Sequence, residues 1–283
     1  MDAGPPANPE RWPDTDAGRM GRADLKRSRR IRRLRRLWRM IPSPPRCKMC
    51  TRPFGAPGGP IMRLIGLGPW PGNPKYCVGC FKDLYRNRAG AEIACTLLFA
   101  DIRGSTQLGE SMRAAEFRAL MDRFYATAVE VLIDHEAIVD KFVGDEVIGI
   151  FVPALTDGDH AGQAISAGLD LLRATGHEAD TPWAPIGIGI NTGEAFVGAV
   201  GTAEHVEFTA LGDTVNLTAR LASVAARGEI LVTETAAQAA GFGLAGLEGR
   251  RLNLRGRTEA THALVFTLQS VLIRTIPQEV RDA

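Results

Sequence analysis

The sequence predicts an α+β fold, a ferredoxin-like βαββαβ unit with added C-terminal strands, preceded by a small four-cysteine module and a basic helix. Three observations carry this. From residue 91 onward, strand-like and helix-like apolar patterns alternate in the order strand, helix, strand, strand, helix, strand. Charge divides the chain in two: residues 1–90 carry 20 Lys+Arg against 6 Asp+Glu, and residues 91–283 carry 14 against 26. Four of the five cysteines form two Cys-x-x-Cys pairs, all in the basic part.

The elements follow in order. Residues 1–21 are rich in Pro, Gly, Asp and Ala without apolar period, and read as a disordered tail. Residues 22–45 hold an arginine-dense helix with Ile31, Leu34, Trp38 and Ile41 as a narrow apolar stripe, stopped by Pro42, Pro44 and Pro45. Residues 46–90 contain both cysteine pairs around a Gly/Pro-rich loop, so regular elements there must be short. Residues 91–270 form the larger domain. Within it, Cys95–Ala100 reads as a buried strand and Gly109–Asp134 as a long helix. Residues Ala137–Val143 and Glu146–Val152 read as a hairpin turning at Gly144-Asp145. A helix is expected over Asp157–Thr175. Strands are expected over Ile186–Ile190 and Glu194–Val200, with Asn191-Thr-Gly193 turning between them. A helix over Thr214–Ala226, a strand over Glu229–Val232 and a closing pair of strands within Leu252–Leu268 complete the domain, and residues 271–283 are a tail.

An apolar fraction of 45% and a charged fraction of 23% exclude a chain disordered throughout, a collagen or a coiled coil. No apolar run approaches the ~20 residues that cross a bilayer. The basic N-terminal stretch lacks the apolar core of a secretory signal, so the expected compartment is the cytoplasm.

Three segments carry chemistry. In Phe99-Ala-Asp101-Ile-Arg-Gly104-Ser105-Thr106, an acid ends a buried strand and a small-residue turn follows. One carboxylate beside free backbone N–H groups suits a divalent cation next to a phosphate; the plain alternative is a turn Asp with a capping Ser or Thr. In Lys141-Phe-Val-Gly144-Asp145-Glu146, a second acid sits at a hairpin tip. Neighbouring strands lie ~4.8 Å apart, so Asp101 and Asp145 can converge, and paired carboxylates call for cations. Alternatively, Gly144-Asp145 is only a turn. In Phe208-Thr209 through Asn216-Leu-Thr-Ala-Arg220, an amide and a guanidinium four residues apart share a helix face. That pair suits a ribose and a charged phosphoryl group, though an ordinary surface arginine would look the same.

Together these segments resemble the class III nucleotidyl cyclases, the adenylyl and guanylyl cyclases, over roughly residues 93–268. The resemblance implies that Asp101, Asp145 and the carbonyl of Ile102 hold two Mg²⁺ or Mn²⁺ ions, and that the backbone of Gly104, Ser105 and Thr106 cradles phosphate. It implies that Lys141 and Thr209 read the purine, Asn216 orients the ribose and Arg220 stabilises charge at the α-phosphate. It further implies a head-to-tail homodimer, each site taking its two aspartates from one copy and Lys141, Thr209, Asn216 and Arg220 from the other. The purine follows from donor arithmetic. Lysine only donates and threonine can accept, which fits N1 and the N6 amine of adenine and mismatches both edges of guanine. ATP is therefore the expected substrate and 3′,5′-cyclic AMP the product. A guanylate cyclase, or a non-catalytic nucleotide-sensing or nucleic-acid-binding protein on the same fold, is the alternative. Diguanylate cyclases share Gly144-Asp145-Glu146 loosely, but the Asn216–Arg220 helix fits them poorly. Threonine at 209 resembles a bacterial subgroup associated with bicarbonate responsiveness.

Cys47, Cys50, Cys77 and Cys80 match two zinc knuckles forming one tetrahedral Cys₄ site. An iron–sulfur cluster or a redox dithiol is the other use of such pairs. The basic helix reads as a solvated linker or dimerising segment, with an anionic membrane surface or nucleic acid as other possible partners.

Overall fold

The computed structural model describes residues 33, 35–41, 43–47, 49–70, 73–80, 90–201, 206–242, 247–254 and 259–270. The expected tails at 1–21 and 271–283, and Ile31 and Leu34 of the basic stripe, lie outside these residues.

In the cysteine module, residues 35–39 are helical, followed by helix α1 (Gly58–Leu64) and a small antiparallel pair, β1 (Pro69–Trp70) and β2 (Asn73–Cys77). The larger domain runs β3 (Gly90–Ile102), α2 (Ser105–Ser111), α3 (Ala114–Asp134), β4 (Ile138–Val143), β5 (Glu146–Phe151), α4 (Pro153–Thr156), α5 (His160–Ala174), β6 (Ile186–Gly201), β7 (Val206–Leu211), α6 (Asp213–Val224), β8 (Ile230–Thr233), α7 (Glu234–Ala239), β9 (Glu248–Leu252) and β10 (Thr261–Phe266).

The sheet order is β4-β5-β3-β6-β8-β10-β9, with β7 paired to β6. Each neighbouring pair among its first four strands is antiparallel, with β5 and β3 in the middle, which is the expected ferredoxin-like arrangement. β8 joins β6 in parallel and β10 and β9 extend the sheet antiparallel, supplying the added C-terminal strands; of the closing pair expected within Leu252–Leu268 only β10 lies there, since β9 ends at Leu252. Among the described residues, no helix is long and apolar enough to cross a membrane.

Alternation along β3 and β6 builds two cores. Leu98, Ala100 and Ile102 face Phe124 and Leu132 of α3 and Ile165 and Leu172 of α5. Leu97 and Phe99 face the opposite side, with Ala222 of α6. Each fully buried large side chain removes enough surface from water to contribute ~1.5–3 kcal/mol.

Three further local expectations are corrected. The helix expected from Gly109 to Asp134 is two helices, because Met112 is extended (φ −100°, ψ 152°) and Arg113 caps α3 together with Glu116. The Asn191-Thr-Gly193 turn does not exist. β6 continues through it because β3 pairs with it along its length, from Gly90↔Gly198 to Ile102↔Ile186. Asn191 is satisfied inside the strand: its amide N–H donates to the Thr214 carbonyl at 3.3 Å and its oxygen accepts from the Thr233 hydroxyl at 3.0 Å. The helix expected from Asp157 starts at His160, because Asp157 is left-handed (φ 58°) and the carboxylate of Asp159 accepts from the Gly162 N–H at 3.0 Å. The short strand β7 and helix α7 carried no sequence signal that singled them out.

The glycines of β6 position α6. A Cβ at Gly189 would lie 2.4 Å from the backbone nitrogen of Ala222, and one at Gly193 would lie 2.7 Å from the Thr214 hydroxyl. These residues share one strand face by period two, so α6 lies directly on bare backbone there.

At the end of α5, His177 joins the two layers. Its Nε2 accepts from the Ile186 N–H at 3.3 Å, which assigns the ring proton to Nδ1, near the Leu172 carbonyl (3.3 Å) and the Thr175 hydroxyl (3.0 Å). Burial, reinforced by Arg227, pulls its pKa below the ordinary value. Between the two values the unfolded chain binds a proton that the native chain does not. The resulting stability is complete above the unfolded pKa and lost as pH falls through the folded one. A His177→Gln variant is therefore expected to lose less stability than the parent between about pH 7.5 and about pH 5.5, measured by denaturant melts. The comparison of variant with parent removes the opposite contribution of carboxyls raised by burial.

Candidate active site

β3 and the β4–β5 hairpin deliver the acidic residues to one end of the sheet. Asp101 sits opposite Glu146 in the β3–β5 register, and the hairpin turns at Gly144 (φ 61°) and Asp145. The hydroxyl of Tyr125 on α3 donates to the Gly144 carbonyl, and its ring stacks on Phe142 with centroids 4.3 Å apart. Helix α3 therefore holds the hairpin tip in place.

The Asp101 and Asp145 carboxyls stand close enough to shift each other's pKa in opposite directions, and Ser105 acts on Asp145 as well. Burial first, then Asp145, pushes Asp101 up to about 7. Burial also presses Asp145 upward, but Asp101 and Ser105 outweigh it and hold this carboxyl below the ordinary range. Glu146 rises to about 7 through burial and the charge of Asp145. Three acids that cannot all ionise comfortably thus stand beside the left-handed turn at Gly104 (φ 73°), and their oxygens are the donor type that hard divalent cations take.

One residue here carried no signal in the sequence reading. Arg103 forms an ion pair with Asp101, and its other terminal nitrogen donates to the carbonyls of Ser223 (2.9 Å) and Ala225 (3.4 Å). It thus ties the acidic tip to the end of α6. An Asp-x-Arg spacing at a strand end was the available clue.

A second cluster lies on β4 and β7. The Thr209 hydroxyl donates to the buried Asp140 carboxylate at 2.7 Å, and the Lys141 ammonium stands 3.8 Å from the same oxygen. The structure therefore brings Lys141 and Thr209 together, through a residue that the sequence reading passed over. On α6, Asn216 is exposed and Arg220 half-buried. Among the described residues, no hydrogen bond or ion pair within the chain joins Asp101 or Asp145 to Lys141, Thr209, Asn216 or Arg220.

The four module cysteines are free thiols with all four Sγ atoms within 4.8 Å of one another, and Cys50 and Cys77 are 3.7 Å apart. Tetrahedral coordination at a metal–sulfur distance of ~2.3 Å requires S···S separations of about 3.8 Å, so the donor set fits one metal. The Cys77 N–H donates to the Cys47 sulfur at 3.3 Å and the Cys80 N–H to the Cys77 sulfur at 3.4 Å. Hydrogen bonds from the other cysteines hold the Cys77 thiol far below its ordinary value, and the Arg52 guanidinium donates to its sulfur at 3.0 Å. Cys95 is apart from them, buried in β3, and burial pushes it up to about 12.

The module grips the larger domain at the second cluster. The Tyr76 hydroxyl accepts from the Phe208 N–H at 3.0 Å, on the strand that carries Thr209. Arg35 is wholly buried. It bonds Glu136 (3.1 Å) and the carbonyls of Ala137 (2.8 Å) and Met49 (2.5 Å), just before the strand that carries Lys141. At Arg35 the expectation of a solvated basic face is corrected: its guanidinium is an internal joint.

A family model described as the adenylate and guanylate cyclase catalytic domain matches residues 89–266. The chain belongs to this family. The terminal-differentiation-specific adenylate cyclase of Dictyostelium discoideum is 30% identical over 181 residues, 59% of this chain and 8% of that protein. Adenylate cyclase 1 of Rhizobium meliloti is 29% identical over 143 residues, 48% of this chain and 22% of that protein. The chain thus spans less than a quarter of either relative. Among solved structures, the adenylyl cyclase CyaB from P. aeruginosa is 26% identical with a TM-score of 0.56, covering 63% of this chain and 96% of that one. The guanylyl cyclase Cya2 is also 26% identical, with a TM-score of 0.55, covering 62% and 92%. The cyclase domain is therefore an enzyme fold for nucleotide cyclisation, with likeness to members of both purine types.

Proposed function

We propose that the chain is an adenylate cyclase, converting ATP to 3′,5′-cyclic AMP and pyrophosphate. The observation that carries the choice of ATP is the pairing of Lys141 with Thr209 through Asp140. It sets a donor beside an acceptor, the complement of adenine.

In this reading Asp101, Asp145 and the carbonyl of Ile102 hold two Mg²⁺ or Mn²⁺ ions. Such cations supply charge neutralisation of the triphosphate and acidify the ribose hydroxyl. The backbone around Gly104, Ser105 and Thr106 positions the phosphates. A second copy contributes Lys141 and Thr209 at the purine, Asn216 at the ribose and Arg220 at the α-phosphate. The ribose 3′-oxygen attacks the α-phosphorus in line, the bond to the bridging oxygen breaks, pyrophosphate leaves and the hydroxyl proton is released to solvent. The chain's contribution is orientation and fixed charge. A homodimer is supported by the apolar surface bordering these residues: Phe142, Val143, Leu211 and Val224 are large exposed side chains beside Lys141, Thr209 and the end of α6. The Cys₄ cluster holds structural zinc, and the enzyme works in the cytoplasm.

The test is purified full-length protein with ATP or GTP and Mn²⁺, following both cyclic nucleotides. Cyclic AMP from ATP, with at least tenfold lower kcat/KM for GTP, is expected. Equal or better use of GTP would make it a guanylate cyclase. Nucleotide binding without either product would leave a sensing protein.

A further inference from the structure

We infer that Asp140 is the positioning residue that sets purine choice, by claiming the only hydrogen of the Thr209 hydroxyl. The inference rests on the cyclase reading above and adds to it the device that gives Thr209 a fixed polarity.

Two independent features of the fold converge on Asp140. The β4–β5 register shifts between Val139 and Phe142, so Asp140 and Lys141 sit in an irregularity of the strand. Consecutive strand residues normally face opposite sides of a sheet; a bulge re-aims them. This is how the Lys141 ammonium comes to lie 3.8 Å from the carboxylate of its own neighbour. The second feature is burial. Asp140 and Thr209 are each only 5% exposed, and the hydroxyl donates to the carboxylate at 2.7 Å. The Lys141 ammonium beside the same oxygen favours its role as acceptor, and a charge-assisted bond is about twice as strong as a neutral one. The competing acceptor, the Ala210 carbonyl, is 3.5 Å away.

A threonine hydroxyl has one hydrogen and two lone pairs. With the hydrogen committed to Asp140, the oxygen can only accept. Beside it, Lys141 can only donate. The pair thus has a fixed polarity, one donor and one acceptor, that cannot invert. Adenine presents the complement, an acceptor at N1 and a donor amine at N6. Guanine presents a donor at N1 and an acceptor at O6, so both contacts clash. A freely rotating hydroxyl would turn its hydrogen toward O6 and relieve half of the mismatch. Asp140 forbids that rotation without touching the base.

Asp140→Asn tests this. Its amide can donate to the Thr209 oxygen, releasing the hydroxyl hydrogen toward the base. The ratio of kcat/KM for ATP to that for GTP is expected to fall by roughly tenfold or more, chiefly through a lower KM for GTP. In a Thr209→Val background the same substitution is expected to leave the ratio within about twofold, since Asp140 acts through the hydroxyl. Equal loss of activity on both nucleotides at an unchanged ratio would reduce Asp140 to a structural role and overturn the inference. Should Asp140→Asn fail to fold, Thr209→Val alone decides. It keeps the side-chain shape, and retention of the parental ratio would overturn the inference equally. If the parent cyclises neither nucleotide, the catalytic reading fails separately. Competition of ATP and GTP for a bound fluorescent nucleotide then reads the preference directly: collapse in Asp140→Asn supports the inference and persistence overturns it.

Discussion

Replacing Asp101 by alanine is expected to cut cyclic nucleotide formation by roughly a thousandfold or more while leaving the fold intact. The activity loss follows from position. Asp101 is the carboxyl that ends β3 beside Asp145 of the hairpin, and its register neighbour Glu146 stands on the facing strand rather than at the end of β3. The intact fold follows from energetics. Burial and Asp145 oppose the charge of this carboxyl, so the native state gains little from it. Its ion-pair partner Arg103 keeps the carbonyls of Ser223 and Ala225. The melting midpoint without added metal is expected to stay within a few degrees of the parent, a shift of about 1 kcal/mol or less. Cyclase assays with Mn²⁺ and a thermal melt on the same sample check both halves. Parental turnover would remove Asp101 from the mechanism. A collapsed midpoint would make it a structural residue.

The legible parts of this protein were those whose signal is local. Buried strands such as Cys95–Ala100 show as unbroken apolar runs, and Gly144-Asp145 marks the hairpin because a left-handed residue is required there. The misread turn at Asn191-Thr-Gly193 shows the limit. Polar and glycine residues in a row ordinarily mark a loop. Here the glycine makes room for α6, and the asparagine is paid for by Thr214 and Thr233, residues far along the chain. Asp140 was hidden for a related reason. One acid inside Ala137-Ile-Val-Asp-Lys-Phe-Val143 looks like an outward strand position, and only the bulge and the arrival of β7 make it internal. Docking of the cysteine module was invisible because its contacts join Arg35 to Glu136 and Tyr76 to Phe208, across 101 and 132 residues.

The Arg35 joint leads to the second large expected effect. Arg35→Ala should destabilise attachment of the module by about 3–5 kcal/mol, because the Glu136 side chain is only 8% exposed and would be left desolvated without its buried partner. Arg36 approaches the same carboxylate at 3.4 Å, but it is largely in solvent and cannot replace a buried guanidinium. The carbonyls of Ala137 and Met49 lose their donor in the same step. Burial lowers the pKa of Arg35 while Glu136 raises it, so the pair is costly in water terms and tolerable only when complete. The double variant Arg35→Met, Glu136→Leu removes both charges at similar volume and is expected to recover most of the loss. Limited proteolysis between residues 40 and 80, with a denaturant melt of the full chain, measures the effect. An Arg35→Ala protein as resistant as the parent would show that the joint carries no load. A double variant no better than Arg35→Ala would show that the two carbonyl bonds, rather than the ion pair, hold the module. Because Glu136 and Ala137 run directly into the strand bearing Asp140 and Lys141, and Tyr76 bonds the strand bearing Thr209, loosening this joint acts on both sides of the second cluster at once.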